Sequence, residues 1–359
     1  MSFQFITTIP LNVSKGSGCF VGIDTLAKGI RALGGEVNFV TPAFRFPVYT
    51  VKRTIFNHML RYREFSSCDT IVGFDADGYS IAGRRSSRHV ASIKGVIADV
   101  LPYETGPTRV SMAYQAHLER KHAQKADLVV TPSRYCAERL DELYHVRNAL
   151  VIPELIDLDK WRELLRENPT RTSSKQRFIV LCVCRFYSRK RLSVLLRAAA
   201  LLRMRISELE VRIVGGGPEA VRLRRLWREL QLRDTVRWLG DVTAGELAAE
   251  YNDADVFCLP SVQEGFGIVF LEAMAAGKPI VATHAAAVPE VVRHGLLVEP
   301  ENHDALADAL EKLYGDSQLR ASLAYQGRQD VESYDIRRVA RRFMEIVSTG
   351  TREGEVIAQ

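Results

Sequence analysis

Residues 256–277 read VFCLPSVQEGFGIVFLEAMAAG, and this stretch decides the architecture of its half of the chain. It begins as a short apolar strand, turns between Pro260 and Gly267, and continues with Val269, Phe270, Ala273 and Met274 at helical spacing. A buried strand, a glycine turn and a helix in immediate succession form the building unit of a parallel α/β sheet. Gly265 and Gly267 let backbone amides approach a ligand, and the helix amino end near Ile268 favours negative charge, so a phosphate suits the position. Glu264 falls on the loop and Glu272 in the second helical turn. Carboxylates repel phosphate but accept hydrogen bonds from sugar hydroxyls. The pattern therefore predicts a phosphate with a hydroxylated group on either side.

The same unit recurs in both directions along the chain. Strands are expected at 3–8, 36–41, 70–73, 90–94, 128–131 and 149–152, then at 178–184, 211–214, 236–239, 256–259, 279–282 and 296–298, with helical patterns between them. The polar stretch RENPTRTSSKQR, residues 166–177, has neither strand nor helix period and reads as a break. The expected fold class is α/β, with two Rossmann-like doubly wound domains facing a central cleft. The expected limits are 1–156, joined by a final helix in 335–359, and 157–334. Ligands of open α/β sheets sit at the carboxyl ends of the strands.

At 359 residues, 47% apolar and 26% charged, the chain has the composition of a folded protein with two cores. The amino end, MSFQFITTIPLNV, shows no secretory leader, and no run of 18 apolar residues occurs, so a cytoplasmic location is expected, with room for peripheral attachment at the inner membrane face. Six scattered cysteines lack the paired spacing of a zinc site and read as buried free thiols. Residues 1–100 carry 12 Lys and Arg against 7 Asp and Glu, so +5 of the net +6 belongs to them. Residues 45–63 and 84–94 contain cations and no acid, which fits an anionic partner.

Two further stretches extend the phosphate reading. After the apolar run FIVLCVC, the sequence RFYSRKRLSVLLRAA places Arg185 at a strand end and Lys190 at a helix start, where two cations could clamp a diphosphate. In SKGSGCFVG, the first strand-to-helix turn, Gly16 and Gly18 would offer amides from the other wall of the cleft.

Taken with KADLVVTPSRYCAERL, ALVIPELIDLDKW, VRIVGGGPEA, VRWLGDV, YNDADVFCLPS and VVRHGLLVEPENHDALADAL, these stretches resemble the retaining nucleotide-sugar glycosyltransferases of the GT-B fold, family 4, over nearly the whole chain. The resemblance implies transfer of a sugar from a nucleotide diphosphate sugar to a hydroxyl acceptor, lipid-linked or a polysaccharide precursor. Glu264, Arg185 and Lys190 would act at the reacting centre, with Glu264 on the sugar hydroxyls and the two cations on the departing diphosphate. Glu272 would hold the ribose, and the amides of Phe266, Gly267, Ile268 and Val269, with Gly18 across the cleft, would complete the phosphate site. The base would lie against residues 236–242, which include Trp238, Leu239 and Val242, with Gly216 close by. The leaving phosphate would take the acceptor proton, so neither a metal nor a cofactor is called for; the nucleotide sugar is itself the donor substrate.

The sequence also departs from the family pattern. Lys94 stands where many relatives have a histidine near the acceptor, and PELID replaces the frequent Pro-Asn-Gly-Val-Asp. Ala286 and Ala287 take the place of glycines before Pro289 and Glu290. Asp77 and Lys94 are the acceptor-side candidates. The Asp75–Asp77 pair reads as a loop and helix cap rather than a metal site, and His89, His284 and His294 as structural or surface residues, His284 being nearest the donor loop.

Plainer readings accompany the rest: a solvated and a capping glutamate for Glu264 and Glu272, an exposed helix start for Arg185 and Lys190, and a simple turn for Gly16 and Gly18. Residues 51–65, VKRTIFNHMLRYREF, fit either a surface helix or an interfacial helix on anionic lipid. Outside transfer, a nucleotide-sugar epimerase of the same fold and a non-catalytic nucleotide-sugar-binding subunit stay open. No nucleic-acid motif occurs.

Overall fold

The computed structural model describes residues 1–9, 18–66, 69–84, 87–170 and 177–349. The chain divides into two compact units, Met1–Leu155 with the segment from Ile336 onward, and Ile156–Asp335. The polar stretch at 166–177 is not the boundary. The helix Leu158–Glu167 already belongs to the second unit, because Leu158 and Trp161 are buried in its core. Ile156 and Asp335, where the chain enters and leaves that unit, pair in an isolated parallel bridge.

Among the described residues the first unit contains six strands, β1 Ser2–Ile6, β2 Glu36–Val40, β3 Asp69–Phe74, β4 Arg88–Ser92, β5 Leu128–Thr131 and β6 Leu150–Val151, in spatial order β2-β1-β3-β4-β5-β6. All pair in parallel. Phe3, Phe5, Val72, Phe74 and Val90 pack with Ile23, Leu26 and Ile30 of the helix Gly18–Ala32. The last helix, Ile336–Thr349, lies against that helix and buries Val339, Phe343 and Ile346 together.

In the second unit the strands are β7 Phe178–Val183, β8 Leu209–Val214, β9 Val236–Gly240, β10 Val256–Leu259, β11 Ile280–Thr283 and β12 Leu296–Val298. Their order, β12-β11-β10-β7-β8-β9, is that of the doubly wound dinucleotide-binding sheet. β7, β10 and β11 read as unbroken apolar runs because helices cover both faces. The direction of winding reverses between β7 and β10, and in the first unit between β1 and β3. Side chains after those strands are therefore the ones placed to meet a ligand.

Candidate active site

In the second unit the reversal point brings together the loops after β7 and β10. Gly267 caps the helix Ile268–Ala275 at φ 91°, and a Cβ there would lie 2.6 Å from the Phe270 ring. Only glycine satisfies both constraints. The ring of Phe266 is buried against Tyr334, with centroids 5.6 Å apart, so this residue offers the loop its backbone rather than its side chain. Ile268 and Val269 form the half-buried first turn.

Lys190 ends the short turn Ser188–Lys190 and forms an ion pair with Glu264 Oε1. The same oxygen accepts a 2.8 Å hydrogen bond from Ser261 Oγ, and both partners of the ion pair are largely buried. The two loops are also joined through their backbones, as Val262 N–H donates to the Arg189 carbonyl at 2.9 Å. Arg185, on the same loop as Lys190, pairs instead with Asp241 at 3.1 Å and is partly exposed. The cations expected to act as one clamp thus rest on different carboxylates.

Glu272 is held apart from Glu264. Tyr251 Oη donates to its Oε2 at 3.0 Å and to the Val269 carbonyl at 3.2 Å, while Trp161 Nε1 donates to the Glu272 carbonyl at 3.1 Å. Burial pushes the Glu272 carboxyl up to about 7, against the opposing effect of the Tyr251 hydrogen bond. Tyr251 and Ser261 are site residues that sequence reasoning missed. Tyr251 precedes β10 and reaches Glu272 only through the packing of a helix on the sheet.

The residues of the expected base region lie on and just after β9, with Gly216 after β8. Trp238 packs edge-on against Phe186 at 5.5 Å, and the Arg224 guanidinium lies 5.3 Å from its ring centroid. Leu239 is the extra residue where β9 shifts register against β8, between Trp238 opposite Ile213 and Gly240 opposite Val214. The Gly216 carbonyl accepts from Phe186 N–H at 2.9 Å. Leu239 and Val242 pack partly buried on the core, and Trp238 Nε1 is buried with no partner among the described residues.

In the first unit, Gly18 opens the helix Gly18–Ala32, whereas Gly16 lies outside the described residues. Asp77 is fully buried. It accepts from Thr8 N–H at 2.7 Å, Thr8 Oγ1 at 2.8 Å and Asn57 Nδ2 at 3.1 Å, and pairs with Arg53 at 3.1 Å. These contacts make it an anchor for the strand ends rather than a surface ligand. Arg53, Tyr49 and Gln115 stand next to it, with Arg53 Nη1 donating to Gln115 Oε1 at 2.8 Å. Asp75, at φ 52°, accepts from Lys94 N–H at 2.8 Å, and burial pushes its carboxyl up to about 6.

Lys94 Nζ lies 3.0 Å from Glu154 Oε1, and the pair is buried. Glu154 in turn rests against Gly22, where an added Cβ would collide with its carboxylate. His89 and His122 face each other with Nε2 atoms 2.8 Å apart inside the unit, and His294 bonds Asp330 at 2.7 Å. His284 is exposed at the end of β11. No set of three His, Cys, Asp or Glu side chains among the described residues is placed to hold a metal ion, and no helix is long and apolar enough to cross a membrane.

Two doubly wound sheets, one carrying a Lys–Glu pair and a glycine-headed helix at its reversal point, give the two Rossmann-like halves of the GT-B fold. The model of the family described as glycosyl transferases group 1 matches residues 166–330. A GDP-mannose-dependent alpha-(1-6)-phosphatidylinositol monomannoside mannosyltransferase of Mycolicibacterium smegmatis is 31% identical over 281 residues, 73% of this chain and 72% of that one. A D-inositol 3-phosphate glycosyltransferase of Pseudarthrobacter chlorophenolicus is 42% identical over 137 residues, covering 36% of this chain and 33% of the other. Among solved structures, a sucrose-phosphate synthase of Thermosynechococcus elongatus shares the fold with TM-score 0.82 at 21% identity, over 97% of this chain and 98% of that one. The chain belongs to the glycosyl transferases group 1 family and is a glycosyltransferase.

Proposed function

We propose that the protein transfers a sugar from a nucleoside diphosphate sugar to a hydroxyl acceptor with retention at the anomeric carbon. The observation that carries this is the buried Lys190–Glu264 pair, set beside the Gly267-headed helix at the reversal point of the second sheet. The amides of Phe266, Gly267, Ile268 and Val269 receive the diphosphate, and Lys190 and Arg185 stabilise its charge as it departs. Glu264 turns from Lys190 to the sugar hydroxyls, while Glu272, oriented by Tyr251, accepts from the ribose. The bond from the anomeric carbon to phosphate oxygen breaks, and the acceptor oxygen bonds that carbon from the same face. The acceptor proton passes to the leaving phosphate. This sequence of bonds uses no protein nucleophile.

The relatives named above are transferases, which favours transfer over epimerisation or binding alone. The mannosyltransferase among them is named for GDP-mannose and phosphatidylinositol monomannoside, so GDP-mannose is the first donor to test and a lipid-linked acceptor the first to pair with it. A lipid-linked acceptor also suits the helix Tyr49–Met59. One face buries Arg53, Phe56 and Asn57, while the other exposes Val51, Ile55 and Met59, with Tyr62 at 89% exposure beyond it. Lys52, Arg61 and Arg63 stand among these apolar groups without an acid between 45 and 63, as on a surface that meets anionic lipid.

A thermal-shift panel of UDP-, GDP- and ADP-sugars identifies the donor, since a ligand of the native state alone raises Tm. Product stereochemistry by NMR then tests retention. Glu264→Gln with unchanged turnover, together with Glu272→Ala with unchanged donor affinity, would overturn the site. Flotation with anionic vesicles checks the lipid surface, and binding that is absent or insensitive to salt removes it.

A further inference from the structure

Arg191 follows Lys190 directly and adopts φ 49°, ψ 38°, while Glu301, after β12, adopts φ 63°. Both are left-handed, a conformation glycine takes without steric cost and other residues do not. These two strained residues are paired by charge, as Arg191 Nε and Glu301 Oε1 form an ion pair without hydrogen-bond geometry at that nitrogen. Each stands at the amino end of a helix. Arg191 caps Leu192–Leu202, and Glu301 precedes Asn302, whose side chain caps His303–Gly315 by accepting from Ala305 N–H at 2.9 Å. The two helices pack side by side.

We propose that the Arg191–Glu301 pair is a positioning device for Lys190, which rests on the assignment of Lys190 to the donor diphosphate. The turn Ser188–Lys190 is held at its middle by Arg189 O, which accepts from Val262 N–H at 2.9 Å, and at its last residue by the Lys190–Glu264 pair. Glu301 holds Arg191, the residue that follows. Arg191 also closes the turn on itself, with Nη1 donating to the Ser188 carbonyl at 3.0 Å. Lys190 is thus the residue between two tethers, and its ammonium is directed by both.

The balance of effects favours positioning over stability. Glycine at 191 and 301 would keep the same backbone without strain. Glu301 is 54% exposed and Arg191 26%, and a partly exposed ion pair returns less than two left-handed non-glycine residues cost. Arg189, Lys190 and Arg191 moreover crowd three cations at a helix amino end, where the helix dipole disfavours them. Glu301 offsets one of these cations and leaves Lys190 for the ligand.

The test compares Arg191→Gly, Glu301→Gly, Glu301→Gln and the double glycine variant of the full chain with the donor found in the panel, reading kcat, KM and Tm. Each single glycine variant should keep or raise Tm while kcat/KM for the donor falls by about tenfold, within the ~10²-fold that a 1 Å misplacement can cost. Glu301→Gln, which keeps the side chain and removes its charge, should lose activity similarly. The double variant should be no worse than the poorer single one, because the pair acts as a unit. Single variants within twofold of the parent, or a loss of activity that follows a fall in Tm, overturn the proposal. Lys190→Ala separates the two assignments. If it leaves donor affinity unchanged, the diphosphate site itself is wrong; if it abolishes affinity while the glycine variants do nothing, only the tether is wrong.

Discussion

Lys94 Nζ sits 3.0 and 3.1 Å from the two oxygens of Glu154, with both side chains out of water. Removing one member of a buried pair strands the other charge, which costs about 3–5 kcal/mol, whereas replacing both with apolar groups of similar size is close to neutral. Lys94→Ala should therefore lower the unfolding free energy by about that amount in urea titration, and Lys94→Met with Glu154→Met should recover most of it. A single-variant cost under about 1 kcal/mol would place Lys94 in contact with solvent or ligand instead. Both residues were visible in the sequence as departures, Lys94 from a histidine and Glu154 within PELID. Their pairing was not, because they are 60 residues apart and meet only where the chain leaves β4 and β6, on either side of β5. Glu264 and Lys190 were both assigned to one ligand from sequence, yet their contact with each other depends on β7 and β10 being neighbours.

Loops and helix ends reveal a different kind of constraint. Ala286 adopts a left-handed φ of 51°, a conformation that suits glycine better than alanine. Ala286→Gly should raise stability by about 1 kcal/mol, read as an upward shift in Tm of roughly 2–4 °C. The helix Gly106–Lys125 presents Glu119 to the interior, where it accepts from Ile97 N–H at 2.7 Å and Tyr144 Oη at 2.6 Å. Burial raises its carboxyl to about 8. A raised folded value means that the folded state holds the proton more tightly, so stability is complete below the ordinary carboxylate range and declines as pH climbs through about 8. Glu119→Gln should flatten this decline, gaining ~3 kcal/mol relative to the parent between pH 5 and 8 in denaturant titrations at each pH. His122 acts in the opposite sense. Burial lowers it to about 4, so its contribution is lost as pH falls from about 6.5 toward that value.

The chain closes its first unit with its last helix. Gly29 lies where Gly18–Ala32 meets Ile336–Thr349, and a Cβ there would come within 2.7 Å of Ala340 Cβ. Gly29→Leu should separate this helix pair and lower Tm by several degrees, the effect of an overpacked core contact costing about 1–3 kcal/mol; an unchanged Tm would show that the last helix adds little to the unit. The amino-acid sequence by itself determined the twelve strands, their α/β class and the turns that carry Glu264, Lys190 and Gly267, since apolar runs, glycines and helix starts are local signals. The polar break at 166–177 falls inside the second unit, which packing begins at Ile156 beside the expected limit of 156/157. The sequence did not determine which charges meet: Lys190 with Glu264, Arg185 with Asp241, Lys94 with Glu154, Arg191 with Glu301. Those partners are set by tertiary packing: β7 and β10 are neighbours, the ends of β7 and β9 and of β4 and β6 meet across an intervening strand, and Arg191 meets Glu301 where the helices Leu192–Leu202 and His303–Gly315 pack.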